Sequence, residues 1–199
     1  MYTLLTTGDV PGAATYFNPL LQQTIVPCTS GTRPGSPPNG MHIHETDTTR
    51  TMKNNAGTWE SIASSVISFT PTLTASTNPG IGTGATRNGW YVWGPGATIT
   101  YNFFIQFGAS GATAGSGNYA VSLPFAAAAV YSTGHAAVGS IMLADASAGT
   151  FKIGSSWVPN GGSTTLAMMS EGSSIVGAAA PFVWANSDYM SGQITYRTV

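Results

Sequence analysis

The sequence predicts an all-β fold, a small N-terminal extended and hairpin segment followed by an antiparallel, jelly-roll-like β-sandwich. Three observations predict it. Thr98 to Phe107 alternates strictly, placing Ile99, Tyr101, Phe103, Ile105 and Phe107 on one face, the period of two of a half-buried strand. Short apolar segments recur through the last two-thirds of the chain, punctuated by turn signals at Asn78-Pro79-Gly80, Gly108–Asn118, Asp145–Gly149 and Pro159–Gly162. No helical period of useful length competes there, since Ala126–Val130 is too short to count as an element.

The elements follow in order. Gly8-Asp9-Val10-Pro11-Gly12 predicts a turn, and Ala13–Gln23 a short helix interrupted at Asn18-Pro19. Arg33-Pro34-Gly35-Ser36-Pro37-Pro38-Asn39-Gly40 cannot be helical; it predicts a polyproline-like approach ending in an Asn-Gly turn. Met41–Thr46 and Arg50–Lys53 then predict two strands. The turn Asn54-Asn55-Ala56-Gly57 leads to a third piece carrying Trp59. Residues 1–62 are thereby expected to form one attachment and oligomerisation segment, and residues 63–199 a sandwich domain. Strands in that domain are expected at Trp90–Trp93, Thr98–Phe107, Tyr119–Leu123, Val138–Leu143, Gly149–Ile153, Ser163–Met169 and Met190–Arg197.

Composition narrows the function classes. Only 7% of the 199 residues are charged, the net charge is −1, and the six basic residues are scattered, so no basic stripe marks a nucleic-acid partner. With 42% hydrophobic residues the chain is not of the disordered type. A surface built from Ser, Thr, Asn, Gly and Ala suits a subunit of a larger assembly better than a free monomer. Cys28 is the single cysteine, which excludes an intrachain disulfide and predicts a buried, inert thiol. No apolar run reaches membrane-spanning length, and the N-terminus shows no secretory pattern, so assembly in a cytoplasm is expected.

Candidate chemistry is sparse. His135 with Asp145 and a serine makes a triad only on paper, because no Gly-x-Ser-x-Gly elbow is present. The carboxylates Glu45, Asp47, Glu60, Asp145, Glu171 and Asp188 show no spacing that singles out a glycosidase pair. Gly80-Ile81-Gly82-Thr83-Gly84 lacks the features of a phosphate loop. No enzymatic activity is expected. His42 and His44, two apart on a strand, project to one face. Two histidines are too few for a metal in a monomer, but three pairs around a threefold axis supply six nitrogens to an axial ion. The simpler reading is a solvent-facing pair beside Glu45, with no cofactor. Trp90, Trp93, Trp157 and Trp184 are candidates for a saccharide-binding platform, although core packing accounts for most aromatics in a sandwich.

The segment Cys28–Arg50, with its Arg33-Pro34, Ser36-Pro37, Gly40, Ile43, Glu45-Thr46-Asp47-Thr48 and Arg50, and the closing Gly57-Thr58-Trp59, resembles a motif of tailed phages infecting actinobacteria. It is common there in minor tail, fibre and other surface proteins. Gly8-Asp9-Val10 and Ala13–Gln23 resemble the short lead-in of such proteins, so the likeness covers about the first third of the chain. His44 departs from it, standing where the family often carries an aromatic, commonly Tyr. The resemblance implies a structural role in a virion rather than a reaction. Arg33 is expected to pair with Glu45 or Asp47, the prolines to stiffen the approach, and Trp59 to cover a small apolar centre. A unit so small has little core of its own, so burial between identical chains is expected, as a homotrimer. Other virion proteins of tail or capsid are the expected partners, with host cell-surface saccharide as a further candidate and neither nucleic acid nor membrane. A minor tail or fibre protein is the first expectation; a head-surface decoration or head-fibre protein and a saccharide receptor-binding module are its alternatives.

Overall fold

The structure, a computed structural model, describes residues 25–130, 134–160, 163–170 and 174–199. The expected turn at Gly8–Gly12 and helix at Ala13–Gln23 lie outside them, as does Glu171. Among the described residues no α-helix forms, and the chain divides into two units, Met1–Ser65 and Val66–Val199. The expected boundary after Ile62 falls inside a strand. Ala63 and Ser64 still pair with Thr51 and Arg50, which carries the first unit to Ser65.

The first unit is a four-stranded sheet in the order β1 (Ile25–Cys28), β2 (His42–Glu45), β3 (Arg50–Asn55) and β4 (Thr58–Ser64). β1 had no counterpart in the sequence reading. Among the described residues it is an edge strand, pairing β2 in parallel, a position that tolerates Pro27 because no described strand pairs its other side. Met41 donates its N–H to the Pro38 carbonyl at 3.1 Å, closing the Asn-Gly turn with Gly40 at φ +86°. Asn39 Oδ1 accepts the Ala56 N–H at 3.0 Å and ties that turn to the β3–β4 hairpin. Met41, Ile43 and Met52 form the buried centre, with Val26, Cys28 and Trp59 packed around it. Cys28 is half-buried rather than buried, as its edge strand dictates.

The second unit is one antiparallel sheet of ten strands. Its strands are β5 (Ile67–Phe69), β6 (Leu73–Thr74), β7 (Thr86–Gly94), β8 (Thr98–Gln106), β9 (Ala120–Ser122), β10 (His135–Asp145), β11 (Thr150–Pro159), β12 (Thr165–Ser170), β13 (Ser174–Ile175) and β14 (Tyr189–Arg197). Hydrogen bonds run β5-β7-β8-β14-β10-β11-β12-β9-β6, with β13 added on β12. β5 and β6 stand at opposite ends of this path, yet only Thr70-Pro71-Thr72 separates them in sequence. Four Cα steps reach about 14 Å at most. The sheet must therefore curl until its ends nearly meet, which produces a sandwich around one core.

That core takes alternate residues from nearly every strand. Ile99, Tyr101, Phe103 and Ile105 of β8 meet Ile141 and Leu143 of β10, Leu166 and Met168 of β12, and Met190, Ile194 and Tyr196 of β14. Phe107 stacks on Trp184, whose indole N–H donates to the Gly177 carbonyl at 3.0 Å. Residues two apart share a face in every strand, so a one-residue slip in any of them would expose its apolar set.

Close backbone approach recurs along one row of cross-strand partners. In register order this row reads Gly89, Phe103, Gly192, Ile141, Gly154, a glycine alternating with a large side chain over five strands. A Cβ on Gly192 would lie 2.7 Å from the Phe103 ring and 2.9 Å from Ile141, and one on Gly154 would lie 2.0 Å from the Met169 carbonyl oxygen. Phe103 and Ile141 fill the space that the glycines vacate, and the backbones approach closely enough for the sheet to bend. Gly154→Ala and Gly192→Ala should each lose about 1–3 kcal/mol of stability, as overpacked sites do. Gly35→Ala, whose Cβ would meet nothing within 4 Å, should leave the melting temperature of the chain unchanged. Calorimetry on the three variants checks this ordering.

Candidate functional site

In the first unit, the side chains of the Arg-Pro…Glu-Thr-Asp-Thr…Arg segment converge on one carboxylate. Glu45 ends β2 on the same face as Ile43 and is fully buried. Arg33 donates from Nε to Glu45 Oε1, and Thr48 donates from its hydroxyl to Oε2. Arg50, cross-strand from Glu45, places Nη2 3.2 Å from Oε2 and Nε 3.2 Å from Thr48 Oγ1. A buried carboxylate is tolerated only when its charge is matched and its oxygens are bonded, and here both conditions are met. Burial alone would raise the Glu45 pKa, but the hydrogen bonds from Arg33 and Thr48 and the two guanidinium charges outweigh it and hold the group below the usual carboxylate range.

Asp47 does not share this work. It accepts the Ser30 N–H at 2.9 Å and the Ser30 hydroxyl at 2.6 Å, closing the loop after β1, and these bonds lower its pKa. Of the two partners expected for Arg33, Glu45 is the one taken. Pro34 stands in the irregular stretch between β1 and β2 that ends at Gly40, and Trp59 packs half-buried against the Met41, Ile43 and Met52 centre. Burial pushes the Cys28 thiol above its ordinary range, with Glu45 adding to the shift and Arg33 opposing it.

His42 and His44 share the face of β2 opposite Ile43 and Glu45, both half-buried. His44 Nδ1 lies 3.5 Å from Thr51 Oγ1, and the cross-strand neighbour of His42 is Lys53, which brings a cation rather than a ligand. Among the described residues no three His, Cys, Asp or Glu side chains gather into a metal-sized group.

The other candidates scatter. His135 and Asp145 are the two ends of β10, roughly 33 Å apart at the rise of a strand, so the paper triad does not assemble. Asp145 accepts from Ser147 and Ala148 in the β10–β11 turn, Asp188 is buried accepting the N–H groups of Ala146 and Ala185, and Glu60 takes the Asn55 amide. These carboxylates thus hold separate turns and strands, and no two of them face each other as a pair.

The four tryptophans have different fates. Trp184 is buried, Trp93 packs against the core, and Trp157 is half-buried with its ring beside His135. Trp90 is 42% exposed at one end of a trough of about 610 Å³ on the outer face of the sheet. The trough follows the glycine row. One wall is the next row of partners, Trp90, Asn102, Gln193 and Ser140; the other is Asn88, Phe104, Ser191, Met142 and Ile153. Sequence reasoning named only Trp90 among these. The rest were visible as the outward positions of alternating strands, but nothing in the sequence brings five strands into register.

Comparison with known protein families, curated proteins and solved structures gave no match.

The Glu45 clamp yields a pH dependence. Because its folded pKa lies below the unfolded value, its stabilisation is present above about pH 4.3 and is lost as the pH falls through the folded pKa. The protection factors of the Ile43 and Met52 amides, with the intrinsic pH dependence of exchange divided out, should fall on acidification through that window. Glu45→Gln should lose about 3–5 kcal/mol at pH 7, as a broken buried pair does, and should flatten the acid response of those amides.

Proposed function

We propose that the chain is a non-enzymatic structural protein of a bacteriophage particle, a homotrimeric surface module of the minor tail or fibre type attached by its N-terminal segment. The observation that carries this reading is the Glu45 clamp. Arg33, Glu45, Thr48 and Arg50, four of the residues on which the likeness to phage surface proteins rests, hold one another. A motif used in this way serves to build a rigid joint rather than to transform a substrate.

Two further observations support assembly. Among the described residues, the buried apolar centre of the first unit is Met41, Ile43 and Met52, a small core for a folded unit. Second, the outer surface of the large unit leaves Val138 and Val183 more than 60% exposed in a chain with 7% charged residues. Large apolar groups without a charged surround favour association. Around a threefold axis three copies of the first unit would bury one another's edges, β1 among them.

Immunogold electron microscopy of the phage that carries this chain is the direct test. Gold at the tail tip is expected. Gold on the head would move the protein to the decoration or head-fibre class, and an unlabelled particle would sink the virion reading. Light scattering should give three times the chain mass of 20.4 kDa, and a stable monomer would remove the trimer. That mass should survive EDTA; dissociation on chelation would instead make His42 and His44 ligands of an axial ion.

A further inference from the structure

We propose that the trough along the glycine row of the large unit is a binding site for an uncharged saccharide. The proposal stands on the second unit alone and does not require the virion reading.

Its first support is construction. Gly89, Gly192 and Gly154 alternate with Phe103 and Ile141 along one row of five strands, whose backbone makes the floor. The flanking rows are the walls, with Trp90 and Gln193 in one and Phe104, Met142 and Ile153 in the other. The volume of about 610 Å³ falls within the range of roughly 300–1,000 Å³ typical of small-molecule sites. A flat sheet face would have no such hollow.

Its second support is the lining chemistry. Three primary amides, Asn88, Asn102 and Gln193, and two hydroxyls, Ser140 and Ser191, alternate with Trp90, Phe104, Met142 and Ile153, and no lining residue carries a charge. Amides and hydroxyls both donate and accept, which suits the hydroxyls of a sugar. An exposed indole face suits the apolar C–H face of a pyranose. Asn102, at the centre of its wall between Trp90 and Gln193, has its Nδ2 shielded from solvent with no hydrogen-bond partner. A buried amide donor without a partner is costly, and an acceptor oxygen of a ligand that reached it would relieve that cost.

The same chemistry argues against the other occupants of an apolar sheet face. A second copy of the chain pressed on this trough would strand the three amides unless it supplied matching groups. An acidic glycan or a nucleic acid would find no cation in the lining. Beside the trough, Phe104, Tyr189 and Phe151 form a row with ring centroids 5.6 and 6.5 Å apart. This row extends the aromatic surface along the sheet, so a ligand longer than one sugar has a continuation.

The full chain should be screened by isothermal titration against neutral oligosaccharides (gluco-, galacto- and manno-oligomers) and against uronic-acid and sialylated oligomers. The expected result is binding of a neutral oligomer that is insensitive to salt, weakened about tenfold or more by Trp90→Ala, and also weakened by Gln193→Ala. Gln193 is exposed, so its loss should leave the fold intact, as the far-ultraviolet spectrum and melting temperature would report. No binding by any neutral oligomer overturns the proposal. So does salt-sensitive binding of the acidic panel alone. Dissociation of the assembly by Trp90→Ala or Gln193→Ala would also overturn it, because the trough would then be an interface between copies.

Discussion

The glycine row at Gly89, Phe103, Gly192, Ile141 and Gly154 is the constraint on which the large unit depends. A continuous ten-stranded sheet has two edges and two faces to protect, and it can protect them only by curling. Glycine at alternate strands lets neighbouring backbones close in, while Phe103 and Ile141 occupy the space left inside. Bending inward at one row has an outward consequence, because the side chains of the flanking rows are splayed into walls. The core and the trough are therefore two sides of one distortion. A substitution that flattened the row would loosen the interior and erase the hollow together.

The first unit solves a different problem with different means. Beside the small apolar centre of its described residues, a fully buried carboxylate with two guanidinium partners provides specificity. Such pairs gain little net stability over apolar packing, but they are costly to break and they tolerate one arrangement only. Glu45 ends β2, Arg50 begins β3 and Arg33 belongs to the proline-rich approach, so a single ion group aligns three segments of chain. The concentration of charge fits this use. Seven of the 13 charged residues lie in the first 60 positions, whereas the large unit relies on burial and backbone pairing.

Much of this was legible in the residues. The strict alternation at Thr98–Phe107 gave β8 and its inner face, and every large residue expected there is buried. Turn chemistry located the breaks, since Gly40, Ala56 and Gly57 adopt the positive φ that such turns need. The pairing of Arg33 with Glu45 was one of two options in the sequence, and the second Arg partner was not foreseen. Three short strands, β5, β6 and β13, escaped notice because two or three residues carry no measurable period. β1 escaped for another reason: Pro27 argues against a strand unless the neighbour on its N–H side is known to be absent.

By itself, the sequence determined the all-β class, the inner face of the longest strands, the turns and the composition of the clamp, because these depend on residues near one another in the chain. Tertiary structure alone decided which strands are neighbours. β14, the last strand, lies between β8 and β10, and only that placement aligns Gly192 with Phe103 and Ile141 and sets Gln193 beside Asn102. Periodicity tells a residue which face it occupies, but register across strands distant in sequence is a property of the whole sheet. Trp90 shows the difference most clearly. Composition made it one tryptophan among five, and the partners across the sheet made it the end of a trough.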